Sequence, residues 1–373
     1  MQPIKMVDLY GQYLHIKKEV DQSIQEVIES SVFIKGGKVI EFEKKLSRYL
    51  NSNVISCANG TDALQLALMA LELKSGDEVI TAPFTFVSTV EVLAFLGLKP
   101  VFVDIDPDTF NINENAIEGA ITDKTKAILP VQLFGQCANM EAVLGIAKRH
   151  NLYVIEDAAQ SLGTQYKFSN GIIKQSGTLG HIGCTSFFPS KNLGAFGDGG
   201  AVICNKPELA EKVRSLANHG MKKKYDYHQI GINSRLDAMQ AAILEVKLQK
   251  LDDYISKRQA AANYYLLNLK GISELKLPVK SLNSSHTFNQ FTIQVDKRDE
   301  LKMYLKKNNI PSQVYYPKPL HLQEAYTYLG YKITDFPVCE NISRKVLSLP
   351  MHTELENEQL KHIVNTIKRF HSN

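Results

Sequence analysis

A chain of 373 residues that is 44% hydrophobic and 22% charged has the make-up of an ordinary globular protein, long enough for a large domain and a smaller one, and this excludes a disordered chain. A net charge of +4 with no long Lys/Arg block gives no reason to expect a nucleic-acid partner, and no apolar run is long enough to span a bilayer. The five cysteines, Cys57, Cys137, Cys184, Cys204 and Cys339, are odd in number and form no C-x-x-C pair, so neither a disulfide framework nor a metal site is expected.

The N-terminus alternates charged and apolar residues without a signal-peptide core, so a reducing cytoplasm is the expected location. Residues from Val20 to Leu50 read as two helices separated by a turn at Gly36–Gly37, because Val20, Ile24, Val27 and Ile28, then Val39, Phe42 and Leu46, recur at helical spacing. From Val54 the pattern changes to short β-branched runs: Val54–Cys57, Glu78–Thr81, Pro100–Val103, Ala127–Val131, Leu152–Ile155, Thr185–Phe188 and Ala201–Cys204. Helix-like stretches such as Ala63–Leu73, Val87–Leu96 and Ala138–His150 lie between them. The alternation predicts an α/β unit with a mainly parallel, helix-covered sheet. Leu236–Leu269 reads as one long helix without Pro or Gly. The turn region Gly271–Pro278 then opens a second unit: strand Phe291–Val295, helix Asp299–Asn308, strand Gln313–Tyr316, and helices to the C-terminus. The boundary is placed near Lys250, giving a large domain over 1–249, N-terminal helices included, and a smaller α+β domain over 250–373.

Three segments carry chemistry. The strand ending in Glu156 and Asp157 puts a carboxylate at a strand's carboxyl end, where open α/β sheets collect ligands; a helix-capping Asp is the plainer reading of that segment alone. Lys191 stands just past the Thr185–Phe188 run and is followed by Gly194, Gly197, Gly199 and Gly200. Glycines allow positive φ and close backbone approach, and a desolvated lysine becomes a nucleophilic amine, although most lysines are solvated. Asn59-Gly60-Thr61-Asp62 ends a strand and opens a helix, whose free amide groups suit a phosphate as well as a plain capping turn. A phosphate cradle, a carboxylate and a lysine together are what pyridoxal 5'-phosphate requires: the carboxylate pairs with the ring nitrogen and keeps the ring an electron sink, and the lysine carries the cofactor and moves the proton.

With these residues in view, the chain resembles the sugar aminotransferases of the DegT/DnrJ/EryC1/StrS family, of the aspartate-aminotransferase-like fold (PLP fold type I). The resemblance runs almost end to end. It includes Phe33-Ile34-Lys35-Gly36-Gly37, Asn59 to Ala63, Pro83 to Thr89, Pro130 to Gly135, Glu156 to Gln160, Ser186 to Lys191, Asn233 to Asp237, and Tyr316 to His321. It implies Lys191 as the Schiff-base lysine, Asp157 as partner of the pyridine nitrogen, Gln160 near the ring hydroxyl, and Phe86 stacked on the ring, where Phe86 taken singly reads as core. It implies Gly60, Thr61 and Ser186 at the phosphate, with Asn233 reaching it from the neighbouring subunit of a homodimer with shared sites. Members with His at the position of Lys191 are dehydratases; the lysine here favours transamination. A G-x-G-x-x-G dinucleotide site does not match the Gly194 to Gly200 spacing.

The substrate is less legible. His219 to Arg235 carries Lys222, Lys223, Lys224 and Arg235, with His228 as a further candidate cation. It is either a solvated loop or a sleeve for a diphosphate. The resemblance implies a nucleotide-linked keto-sugar as acceptor and glutamate as donor, in amino-sugar biosynthesis for surface polysaccharide such as lipopolysaccharide O-antigen. Arg235, His228, Tyr315, Tyr316 and His321 are expected to face the sugar, with a buried structural role the alternative for His321. The stretch Val314 to Gln323 resembles members acting on 3-keto sugars. It ranks a UDP-linked 3-keto-2-acetamido uronate before a dTDP-linked 3-keto-6-deoxyhexose. A 4-keto nucleotide sugar, or a cofactor-binding sensor without turnover, is the alternative.

Overall fold

The computed structural model describes residues 2–372. The chain opens with α1 (Leu9–His15), α2 (Lys17–Ser30) and α3 (Gly37–Leu50). It continues through β1 (Asn53–Cys57), α4 (Gly60–Ala70), β2 (Glu78–Thr81), α5 (Ser88–Phe95), β3 (Lys99–Phe102), β4 (Thr125–Ile128), α6 (Met140–Arg149) and β5 (Tyr153–Asp157). A hairpin of β6 (Gln165–Lys167) and β7 (Ile173–Gln175) precedes β8 (Ile182–Ser186), β9 (Gly200–Cys204) and α7 (Pro207–Leu216). The seven-stranded sheet has the order β1-β9-β8-β5-β4-β2-β3. Pairings from β8 to β3 are all parallel, and β9 alone runs against both of its neighbours. This is the mainly parallel sheet expected from the β-branched runs. Residues on both faces of the strands are buried, as in Val54 to Cys57 and all of β9, because helices cover both sides.

The second half departs from expectation in three places. A small hairpin, β10 (Met221–Lys223) with β11 (Asp226–Tyr227), stands in the basic segment. The single helix expected over Leu236–Leu269 is two, α8 (Ala238–Leu248) and α9 (Leu251–Leu269). Lys250 leaves helical geometry with φ −108 and ψ 2, and Asp252 and Asp253 then favour a new helix start by meeting its positive dipole end. After β12 (Leu275–Lys276), β13 (Phe291–Val295) and α10 (Arg298–Lys307), the Gln313–Tyr316 run forms no strand beyond one bridge from Gln313 to Ser348. The place beside β13 goes to β14 (Val346–Leu349), between α11 (Pro337–Lys345) and α12 (Asn357–Ser372). Pro317 and Pro319 have no amide to lend a ladder, so that run serves as cavity wall instead.

The large sheet has its own core, including Ile55, Leu66, Ile80, Ile128 and Val154. A second core gathers Ala261, Tyr265 and Leu269 of α9 with Phe291, Leu347, Leu360 and Ile363. A third, around α3 and α8, takes in Phe42, Leu46, Leu244, Phe187 and Leu193. Phe42 meets Phe187 edge-on at 5.4 Å. Burying a phenylalanine side chain is worth about 2 to 3 kcal/mol, so Phe187 and Leu193 fix both feet of the loop between them. All five cysteines are buried and unpaired, and burial pushes the thiols of Cys137 and Cys204 up to about 12.

Candidate active site

Three strand ends converge on one cavity of about 850 Å³. β1 leads into Asn59 and α4, β5 ends at Asp157, and β8 ends at Ser186 and continues into the loop bearing Lys191. All three are carboxyl ends of strands that run the same way, where the amide-rich turns of such sheets gather.

Successive residues of a strand face opposite ways, so the two carboxylates of β5 part company. Glu156 turns to the 177–180 turn and accepts from the amides of Gly177 (3.1 Å), Leu179 (2.6 Å) and Gly180 (2.8 Å) and from Gln132 Nε2 (2.8 Å). Asp157 turns to the cavity. Its Oδ2 accepts from Thr89 Oγ1 at 2.8 Å and its Oδ1 from the amide of Ala159 at 3.2 Å. No helix follows it, so the capping reading of Asp157 falls away. Burial raises its pKa against these two donors and the charge of Lys191. A carboxylate so placed is stabilised by a cation in the cavity.

Lys191 lines the same cavity. Burial lowers its amine to about 8, against the opposing charge of Asp157. Its loop is closed by Lys191 N donating to Phe188 O (2.9 Å) and Ala195 N to Phe187 O (2.7 Å). None of the four glycines after Lys191 has a positive φ, contrary to one of the two uses expected of them. They serve close approach: a Cβ on Gly194 would lie 2.2 Å from Pro189 O, and one on Gly200 2.3 Å from Asn59 O.

At the opposite wall, Asn59 caps α4 by accepting the amide of Asp62 at 2.8 Å. The amides of Gly60 and Thr61, ahead of any intrahelical carbonyl, are left for a ligand. Thr61 Oγ1 and Ser88 Oγ lie 2.7 Å apart, and a Cβ on Gly60 would meet Ser186 Cβ at 2.7 Å, so only glycine lets the two strand ends close into a cradle. Phe86 stands in the cavity wall with 56% of its surface exposed, so it is not core. Gln160 Oε1 accepts from Phe134 N (2.9 Å) and its Nε2 donates to Tyr316 OH (3.2 Å). A cradle of free amides and hydroxyls, a buried acid with no ion pair among the described residues and a desolvated amine fit pyridoxal phosphate.

Tyr315 and Tyr316 line this cavity, but the other expected sugar-facing residues do not. Arg235 and His228 line a second cavity of about 1010 Å³, with Lys35, Arg214 and Lys222. His228 pairs with Asp226 at 2.9 Å at the β10–β11 hairpin. Asn233 bridges to Asn218 and is absent from the Lys191 cavity, although its neighbour Ser234 accepts the amide of Ala58 at 3.1 Å, behind the cradle. His321 is buried and does not line this cavity, with Nε2 3.1 Å from Glu340 Oε1 and its ring edge-on to Phe336, as in the buried alternative stated for it. Sequence reasoning missed Thr89, Ser88, Asn289, Gln290 and Gln313. Ser88 and Thr89 had a signal in the Pro83 to Thr89 stretch; the other three had none.

Comparison with known proteins agrees with this geometry. The model of the DegT/DnrJ/EryC1/StrS aminotransferase family matches residues 14–368. A pleiotropic regulatory protein of Geobacillus stearothermophilus is 48% identical over 99% of this chain and 98% of its own. The UDP-2-acetamido-2-deoxy-3-oxo-D-glucuronate aminotransferase of Pseudomonas aeruginosa is 44% identical over 96% and 98%. The crystal structure of DesV from S. venezuelae superposes with a TM-score of 0.96 at 36% identity, covering all of both chains. Solved relatives include forms with PLP and with PMP. The chain belongs to the DegT/DnrJ/EryC1/StrS aminotransferase family, has the aspartate-aminotransferase-like fold, and is a pyridoxal-phosphate-dependent aminotransferase.

Proposed function

We propose that this aminotransferase moves the amino group of glutamate onto the ketone of a nucleotide-linked sugar, with a 3-keto sugar as the acceptor. The observation that carries the reading is the shared cavity of Lys191 and Asp157, with the amine lowered to about 8. Pyridoxal phosphate, when bound, supplies an aldehyde carbon and a cationic ring that takes up electrons released at the substrate carbon. Gly60 and Thr61 amides, Thr61 Oγ1 and Ser186 would hold the phosphate. Asp157 would keep a proton on the ring nitrogen, Gln160 would orient the ring hydroxyl, and Phe86 would cover the ring face. Lys191 Nζ, poised near neutrality by burial, would take the proton from the glutamate carbon that bears the nitrogen and pass it to the cofactor, and in the second half of the exchange would carry one from the cofactor to the former ketone carbon of the sugar.

The separation of the candidate residues into two cavities supports a homodimer with shared sites. Asn233, Arg235 and His228 then complete the cavity of the partner subunit, Asn233 at the phosphate and the two cations at the diphosphate. Val32, Phe33 and Ile34, next to Lys35 of the second cavity, and Tyr225, Tyr227 and Ile230, around His228, expose apolar surface, Ile230 at 90%. Tyr315 and Tyr316 face the sugar. The relative acting on a UDP-linked 3-oxo uronate supports that acceptor class, ahead of a dTDP-linked 3-keto-6-deoxyhexose, and amino-sugar biosynthesis for surface polysaccharide as its setting. Buried, unpaired cysteines suit a cytoplasmic location, and among the described residues no helix is long and apolar enough to cross a membrane. A sensor without turnover is not favoured, despite the regulatory name of one relative, because the groups suited to proton transfer are assembled.

The test is to incubate the purified protein with glutamate and a panel of UDP- and dTDP-linked 3-keto and 4-keto sugars, following amino-sugar and 2-oxoglutarate by mass. Equal amounts of the two products with a 3-keto sugar are expected. Lys191→Ala abolishes both; normal turnover in that variant, or no amino-sugar from any acceptor, defeats the reading.

A further inference from the structure

Lys247 on α8 is 1% exposed, and among the described residues no carboxylate pairs with it. Burial, aided by the charge of Arg258, lowers its amine to about 7. A buried cation without a counter-charge is costly, and one whose donor is spent on a single backbone carbonyl calls for a purpose. Lys247 Nζ donates to Gly194 O at 2.5 Å and lies 5.4 Å from the centroid of the Phe196 ring. Seven residues earlier on the same helix face, Gln240 Oε1 accepts the amide of Phe196 at 2.9 Å. α8 therefore grips the 194–196 segment twice. Gly194 packs against the turn bearing Lys191, where a Cβ on it would lie 2.2 Å from Pro189 O, and the next residue is tied to that turn by Ala195 N donating to Phe187 O at 2.7 Å.

We propose that Lys247 is a positioning residue for the transfer reaction: through the carbonyl of Gly194, with Gln240 as a second tether, it fixes the loop that presents Lys191. The inference rests on the role assigned to Lys191 above. The charge acting on the Lys191 amine is that of Asp157, so Lys247 works through the backbone rather than through its field.

Lys247→Met keeps the length of the side chain and removes its donor and charge. Hydrogen exchange on the cofactor-free full chain reads the tether directly. Amides of residues 187–197 exchange about tenfold faster in the variant, while β8 keeps its wild-type protection. In the loaded enzyme kcat falls by about tenfold or more with KM for glutamate nearly unchanged, as for a reacting group displaced by a fraction of an ångström. Unchanged loop exchange, or exchange accelerated equally throughout the chain, overturns the proposal, as does an unaltered kcat. Should Lys247→Met fail to fold, Gln240→Leu, which loses only the Phe196 tether, carries the same test with the same outcomes. Borohydride trapping of the cofactor on Lys191 in the wild-type chain separates the two readings. Its failure removes the role of Lys191 and leaves the exchange result standing.

Discussion

Asp157→Asn separates catalysis from folding, and the hydrogen bonds around it say why. The carboxylate accepts from Thr89 Oγ1 and from the amide of Ala159. An asparagine keeps both contacts: its Oδ1 accepts from Ala159, and its Nδ2 donates to Thr89, whose hydroxyl then donates to Thr85 Oγ1, 3.0 Å away. Burial already penalises the charge on Asp157, so the neutral isostere costs no more than about 1 kcal/mol of stability. What is lost is the negative charge proposed to hold the cofactor ring cationic. Removing one preorganised electrostatic partner of this kind costs about 3 kcal/mol in the transition state, roughly a hundredfold in kcat. The assay is single-turnover reaction with glutamate, followed by cofactor absorbance, beside a thermal melt of the same sample. A variant within about threefold of the wild-type rate, or one that melts more than about 5 °C lower, refutes the reasoning.

Four further outcomes follow from the geometry. An amine lowered to about 8 is roughly one-tenth neutral at pH 7, against about one part in 2,500 for an ordinary lysine near 10.4, so adduct formation between the cofactor-free chain and pyridoxal phosphate climbs with pH and levels off just above about 8; a rate still climbing at pH 10 removes the desolvated amine. The same shift makes the cofactor-free chain more stable as pH rises between about 8 and 10, since the unfolded chain holds the extra proton there, and pH-dependent denaturant unfolding reads that slope. Gly60→Ala drives a Cβ into Ser186 and weakens cofactor retention on dialysis by roughly tenfold, about 1.4 kcal/mol, with retention equal to wild type as the contrary result. Mixing Lys191→Ala with Arg235→Ala, each inactive alone, restores activity toward about a quarter of wild type if sites are shared across a dimer; no recovery after subunit exchange removes the shared-site arrangement.

The sheet was legible because each strand is a short β-branched run cut off by turn residues, as at Glu78–Thr81, found with the expected bounds. The helix break at Gln249–Lys250 was not, since no Pro or Gly marks it; Leu251 and Ile255 of α9 still share the core of α8, and α9 reaches the second core only from Ala261 on. Val346–Leu349 reads as helix in the sequence because a buried strand's continuous apolar run looks the same as a helix segment at that length. At the site, Lys191, Asp157 and Gly60 announced themselves through carboxylates, hydroxyls and glycines at strand ends. Thr89 was marked only by the Pro83 to Thr89 stretch, because a threonine inside a helix says nothing by itself about a carboxylate 68 residues away. Nor does sequence say which cavity a cation lines: Arg235 and Tyr315 read as neighbours on one substrate, and within one chain they line different cavities.

The burial of all five thiols has a practical side. Alkylating reagents attack the thiolate, and interior sulfhydryls whose ionisation is suppressed offer them little. A single cysteine introduced at a fully exposed position such as Leu282 would then be the sole handle for a maleimide dye or nitroxide on an otherwise native background. Two such labels, one per copy, would report how far apart a pair of chains hold their surfaces, with no need to strip out the natural sulfurs first.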